Sequence, residues 1–119
     1  MKSRDATIAF DALSHSIRVK IFRKLVARGK SGIGASELCE LMDIPPATLS
    51  FHMSKLVNGD LVDLRKKGKY VTYTANHKQV SKLIDFLMEK CCTEDASSSM
   101  KFKSGDGSSA PFGCSKNVV

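Results

Sequence analysis

A mainly α chain with one small β-hairpin is predicted by three observations. Apolar residues recur at steps of three and four in five segments, several of them closed by glycine or asparagine. Between the third and fourth segments stands Asp43-Ile44-Pro45-Pro46, a turn-prone stretch that suits a tight reversal. Two short strand-like runs then flank Lys66-Lys67-Gly68-Lys69, where glycine permits the turn of a hairpin. Short helix, tight turn, second helix and hairpin, in that order, make the layout of a winged helix-turn-helix, here with about five helices and two strands. At 119 residues there is room for one domain and one core.

Taken in order, Ala6, Ala9, Phe10, Ala12 and Leu13 give residues 5–13 one apolar side. Ser14 is placed to cap a second helix over roughly 15–28, in which Ile17, Ile21, Phe22, Leu25 and Val26 keep helical spacing until Gly29 ends it. Residues 30–35, with Ser31, Gly32 and Gly34, read as a loop. A third helix at about 36–42 turns Leu38, Leu41 and Met42 inward. Pro46 suits the first turn of the fourth helix, where its missing N–H costs nothing. Leu49, Met53 and Leu56 form that helix's core stripe, and Asn58-Gly59 stops it. Strands are expected over 61–65 and 70–75. Asn76 then caps a fifth helix carrying Val80, Leu83, Ile84, Leu87, Met88 and Cys91, the strongest periodic signal in the chain. Residues 1–92 therefore form the structured domain. Residues 93–119, rich in serine and glycine, are expected to be a mobile tail carrying Cys114.

A formal charge of +7 points to an anionic partner, nucleic acid or a membrane surface. No apolar run approaches the length of about 18 residues that a spanning helix needs, and the N-terminus lacks the apolar core of a signal peptide. A cytoplasmic protein with reduced thiols and no membrane contact is expected. One cationic focus lies in residues 1–30, and a second comprises Arg65, Lys66, Lys67 and Lys69, with Tyr70 beside them. Like charges crowded on a hairpin tip repel one another unless an anion neutralises them, and duplex DNA backbone is the natural one; a merely solvated tip is the plainer alternative. On the fourth helix the inward stripe leaves Ala47, Thr48, Ser50, Phe51 and Lys55 facing out. Thr48 and Ser50 either bond a phosphate or base edge or simply decorate a solvated helix. The Thr48 methyl or Phe51 ring suits a thymine methyl, and Lys55 suits a phosphate. His52 has two readings, a phosphate contact or a bond to a backbone carbonyl.

The four cysteines, Cys39, Cys91, Cys92 and Cys114, are poor material for a disulfide framework in a reducing compartment. Cys91 and Cys92 are adjacent, so two thiolates can meet one soft, thiophilic centre, with Lys90 helping to lower their pKa values. The plainer alternative makes Cys91 the end of the apolar stripe and Cys92 incidental. An enzyme is not expected. There is no Cys-x-x-Cys, no glycine-rich phosphate loop and no Ser-His-Asp constellation, and the three histidines fall on separate elements.

Three stretches together resemble the ArsR/SmtB family of bacterial metalloregulators over roughly residues 5–92. They are ALSHSIRVKIF from Ala12 to Phe22, ATLSFHMSKL from Ala47 to Leu56, and KKGKY from Lys66 to Tyr70. The resemblance implies a homodimeric repressor that releases double-stranded operator DNA on binding a metal or metalloid, with no permanently bound cofactor. It also implies that the fifth helix, with the first, makes the dimer interface, which fits the stripe from Val80 to Met88. The cysteine pair after that helix is similar to a subgroup of arsenical-responsive repressors in which a further downstream cysteine gives a third sulfur. The implied ligands are Cys91, Cys92 and Cys114, the last more distant than the subgroup's usual spacing. The implied inducer is trivalent arsenic, with antimony as its chemical neighbour. Other arsenic repressors carry a cysteine cluster in the third helix, which Cys39 matches only singly; it reads as a small buried side chain. Family zinc sites between the fifth helices use paired histidines, which His77, Asp85 and Glu89 do not supply. A thiol-based redox regulator, in which Cys91 or Cys92 pairs with Cys114 on oxidation, is the alternative.

Overall fold

Alanine at positions 6, 9 and 12 gives the first helix a face flat enough for backbone-close packing. In the computed structural model, which describes residues 1–94, α1 (Ser3–Leu13) buries all three alanines. They lie over the end of the fourth helix at Gly59, where an added Cβ would meet Ala9 Cα at 3.2 Å and Ala12 Cβ at 3.3 Å. Ser14 closes α1 rather than opening the next helix, its Oγ donating to the Asp11 carbonyl at 2.7 Å. The cap of α2 (Ser16–Arg28) is His15, whose Nδ1 accepts the Ile17 N–H at 3.2 Å. An imidazole nitrogen on a short stem reaches the first-turn amides much as an asparagine oxygen does. Gly29 ends α2 as expected, at φ +80°.

The segment expected as a loop contains a 3-10 turn, Gly29–Ser31, and a third strand, β1 (Ile33–Gly34). The sheet therefore has three antiparallel strands in the order β1-β3-β2, with β2 at Val62–Lys67 and β3 at Tyr70–Ala75. Ile33 opposes Tyr73 and is 1% exposed, which supplies the driving force. Gly32 supplies the room: at φ +73°, a Cβ there would sit 2.6 Å from the Tyr73 carbonyl oxygen.

Next, α3 (Ala35–Met42) buries Leu38 but leaves Leu41 exposed, correcting the inward assignment of that residue. Asp43 adopts the left-handed conformation at φ 55°, and the Ile44 N–H returns to the Cys39 carbonyl at 3.2 Å. That closes the reversal into α4 (Pro46–Asn58), where Leu49, Met53 and Leu56 are buried as their spacing predicts. Asn76 caps α5 (His77–Met88), its Oδ1 accepting the Gln79 N–H at 3.3 Å. This helix stops before the cysteines, so Cys91 is not the end of its stripe. Leu83 joins the core at 3% exposure whereas Leu87, one turn on, is 62% exposed. The result is a winged helix-turn-helix. The expected tail beyond residue 94, Cys114 included, lies outside the described residues. Among the described residues no helix is long and apolar enough to cross a membrane.

Candidate nucleic-acid interface

Because Leu49, Met53 and Leu56 take up the inner face of α4, the remaining positions are presented outward. Ala47, Ser50, Phe51 and Lys55 are exposed and Thr48 is half-buried. Phe51 is 58% exposed, with the Lys55 ammonium 5.8 Å from its ring centroid. No side chain caps the amino end of this helix, which begins with proline. First-turn amides left without a side-chain acceptor carry the positive end of the helix dipole, which favours a phosphate.

His52 does not belong to this exposed face. It is 5% exposed, with Nδ1 3.0 Å from Nη1 of Arg18. Of its two readings, no bond to a backbone carbonyl is found among the described residues, where Arg18 is the hydrogen-bond partner of Nδ1. Burial, then the nearby His15 and Arg18 charges, hold the His52 pKa below the ordinary imidazole value.

The wing extends the surface. Lys67 opposes Tyr70, so Gly68 and Lys69 form a two-residue turn, with the left-handed φ of +63° falling on glycine at its first position. That is the sign pattern of a type II′ hairpin turn, whose twist matches that of the strands. Arg65, Lys66, Lys67, Lys69 and Tyr70 are all exposed, Tyr70 at 71%. Arg65 reaches across the sheet to donate to the Lys30 carbonyl at 3.2 Å, which brings the 3-10 turn after α2 beside the wing. Among the described residues the one ion pair joins Arg28 to Glu37 at 2.6 Å, fastening α2 to the start of α3. Its exposure keeps its worth small. Among the described residues the wing cations have no such carboxylate within 4.0 Å.

Beyond α5 a turn returns the Cys91 N–H to the Met88 carbonyl at 2.7 Å, and Cys92 takes φ +61°. Their sulfurs lie 3.4 Å apart on half-buried side chains. Cys39 is half-buried against the core in α3. Among the described residues no three His, Cys, Asp or Glu side chains gather as a metal cluster. At its other end α5 is tied to α4. Gln79 Nε2 donates to the Gly59 carbonyl at 3.0 Å, and Asn76 Nδ2 to that of Asp60 at 2.9 Å.

Residues 13–65 match the model of a helix-turn-helix domain family. Over 83 residues the chain is 30% identical to the arsenical resistance operon repressor of Bacillus subtilis, covering 70% of this chain and 75% of that one. It belongs to the ArsR/SmtB family. It is 31% identical over 81 residues to a cadmium resistance transcriptional regulatory protein CadC homolog of Staphylococcus aureus, covering 68% of this chain and 65% of that one. Among solved structures, an ArsR family transcriptional regulator superposes with a TM-score of 0.69 at 19% identity, over 81% of this chain and 96% of that one. An ArsR-like regulator from Rhodococcus sp. RHA1 gives 0.67 at 24% identity, over 77% and 84%. At those identities the superpositions establish the fold. With the family established, this is a DNA-binding transcriptional repressor rather than an enzyme.

Sequence reasoning missed two members of the site's support. Arg18 enters the sequence reading only as one of the cations of residues 1–30, and Gln79 is not singled out. The signal for Arg18 was present: it shares a helical face with Ile21, Phe22 and Leu25, which are buried.

Proposed function

We propose that this family member is a homodimer that represses by reading operator DNA with α4 and the wing, and that it lets go when trivalent arsenic binds Cys91 and Cys92. Thr48, Ser50 and Phe51 meet base edges, while Lys55, Arg65, Lys66, Lys67 and Lys69 meet phosphate, with Tyr70 against the backbone sugar. The dimer forms through α1 and α5, which lie together and leave Ile8, Phe10 and Leu87 exposed. The observation that carries the inducer assignment is the sulfur separation of 3.4 Å. Taking the zinc–thiolate length of about 2.3 Å as the scale, such a pair subtends about 95°, tighter than a tetrahedral site and suited to a pyramidal centre with a lone pair. Cys114 supplies the third sulfur for inorganic arsenite, and antimonite shares the chemistry. The name of the Bacillus relative points the same way.

The test is operator affinity measured with and without arsenite under reducing conditions. Wild type and Cys39→Ser should release DNA, while Cys91→Ser and Cys92→Ser should bind DNA normally but fail to release. Release by hydrogen peroxide but not by arsenite would favour the thiol-redox reading. Loss of arsenite response in Cys39→Ser alone would move the sensor to α3.

A further inference from the structure

We propose that Arg18 is a positioning residue for DNA reading, locking the recognition helix to the end of α1, and that the lock holds only while His52 is neutral. The inference rests on α4 being the reading helix. Arg18 is 7% exposed and lies among three helices. Its Nε donates to the Ala12 carbonyl at the end of α1 at 2.6 Å, and its Nη1 lies 3.0 Å from His52 Nδ1 on α4. One side chain of α2 thereby ties the first helix to the fourth.

The chemistry of the pair fixes the protonation state. A guanidinium has five N–H donors and no acceptor, so the Arg18–His52 bond exists only if Nδ1 carries a lone pair. Protonating the ring would set two donors and two positive charges against each other in a buried place. The groups that face His52 do nothing to ease that. His15, at the α1–α2 junction, stands with its ring centroid 4.8 Å away, Phe51 presents a ring edge at 5.5 Å, and Arg18 is the third neighbour. No carboxylate bonds to it among the described residues. Burial and the two neighbouring charges accordingly hold the ring's pKa below its ordinary value.

The position of His52 makes this lock consequential. It follows Phe51 directly and lies one helical turn beyond Thr48, so a shift at His52 moves both of those outward side chains. Contacts to base edges tolerate such a shift less than contacts to phosphate, which carry no sequence information. Breaking the lock should therefore cost specific binding and leave non-specific binding nearly untouched.

Three versions of the full-length chain decide the matter, titrated against an in vitro-selected operator duplex and a scrambled duplex at pH about 7.5 and about 5.5. In wild type, acidification should weaken operator binding relative to scrambled DNA by up to about tenfold, the most that one unlocked imidazole of ordinary pKa about 6.5 can supply between those pH values while the locked ring resists the proton. His52→Asn places an amide oxygen where Nδ1 stood and cannot be protonated, so it should bind like wild type at the higher pH and lose the pH dependence. His52→Leu, with folding checked by circular dichroism, should bind operator weakly at both pH values while binding scrambled DNA normally. If His52→Leu does not fold, the pH profile of His52→Asn decides alone. The proposal is overturned if His52→Asn keeps the wild-type pH dependence, or if a folded His52→Leu reads the operator as wild type does. Thr48→Ala is the control for the underlying reading: unchanged base preference there would remove α4 from the groove, whatever the histidine variants do.

Discussion

Replacing Lys67 and Lys69 with alanine is the most direct test of the wing, because the structure separates its charge from its shape. The hairpin turn depends on Gly68, at φ +63°, and on the Lys67–Tyr70 pairing through backbone. Neither lysine side chain is buried. The double variant should therefore fold with unchanged register and lose two cations from each wing. Each phosphate contact releases roughly 0.9 counterion on B-DNA, so two lost contacts should flatten the log–log dependence of affinity on salt by roughly 1.8 per wing. Between about 50 and about 200 mM salt that amounts to roughly a twelvefold smaller fall in affinity for every wing engaged. Fluorescence anisotropy across a salt series, with operator and scrambled duplexes, reads both slopes. The loss should be the same for the two, since phosphate contacts position without specifying. An unchanged slope, or a loss confined to the operator, would refute the assignment of the wing to the backbone.

Other expectations follow from single positions. Gly32→Ala should cost about 3 kcal/mol or more, because its Cβ would lie 2.6 Å from the Tyr73 carbonyl oxygen and 2.8 Å from two threonine methyls at φ +73°; Gly29→Ala, at φ +80° with nothing within 4 Å, should cost only about 1–2 kcal/mol. Urea denaturation compares the pair, and equal losses would mean that β1 is not held against β3 as described. Leu87→Asp should leave the fold intact and convert a dimer to monomer by sedimentation, whereas Leu83→Asp should unfold the chain, since only Leu83 is in the core. A Leu87→Asp protein that stays dimeric would displace the interface from α5. Stability should also fall as pH drops below about 6.5, because the unfolded chain's His52 then takes up a proton that the folded ring refuses. Above that pH both states are neutral there and the contribution vanishes. Urea midpoints of wild type and His52→Asn should diverge on acidification, and parallel curves would contradict the depressed pKa.

What the sequence made legible was whatever depends on neighbours in the chain. The stripe of Leu49, Met53 and Leu56, the Asn76 cap and the glycine at the hairpin tip each follow from local spacing or local backbone chemistry, and each is found where expected. The strand at Ile33 was not legible, because two residues carry no periodicity; it exists because Tyr73, forty positions away, offers both an edge and a surface. Leu41 failed for a related reason. Helical spacing says which residues share a face but not how wide a face the rest of the molecule covers, and Leu41 falls at the margin of its own. Buried polar groups are the hardest of all. A cation such as Arg18 is read as surface by default, since few charges are fully buried, and its place becomes intelligible only when an acceptor from another element is known. For Arg18 that acceptor is His52, on a helix whose opposite side was read correctly. The sequence thus disclosed the outward face of α4 through its periodicity, while the inner contacts that hold that helix in place depend on pairs far apart in the chain. It is those contacts, Arg18 to His52 and Gln79 to the Gly59 carbonyl, that connect α4 to α2 and α5.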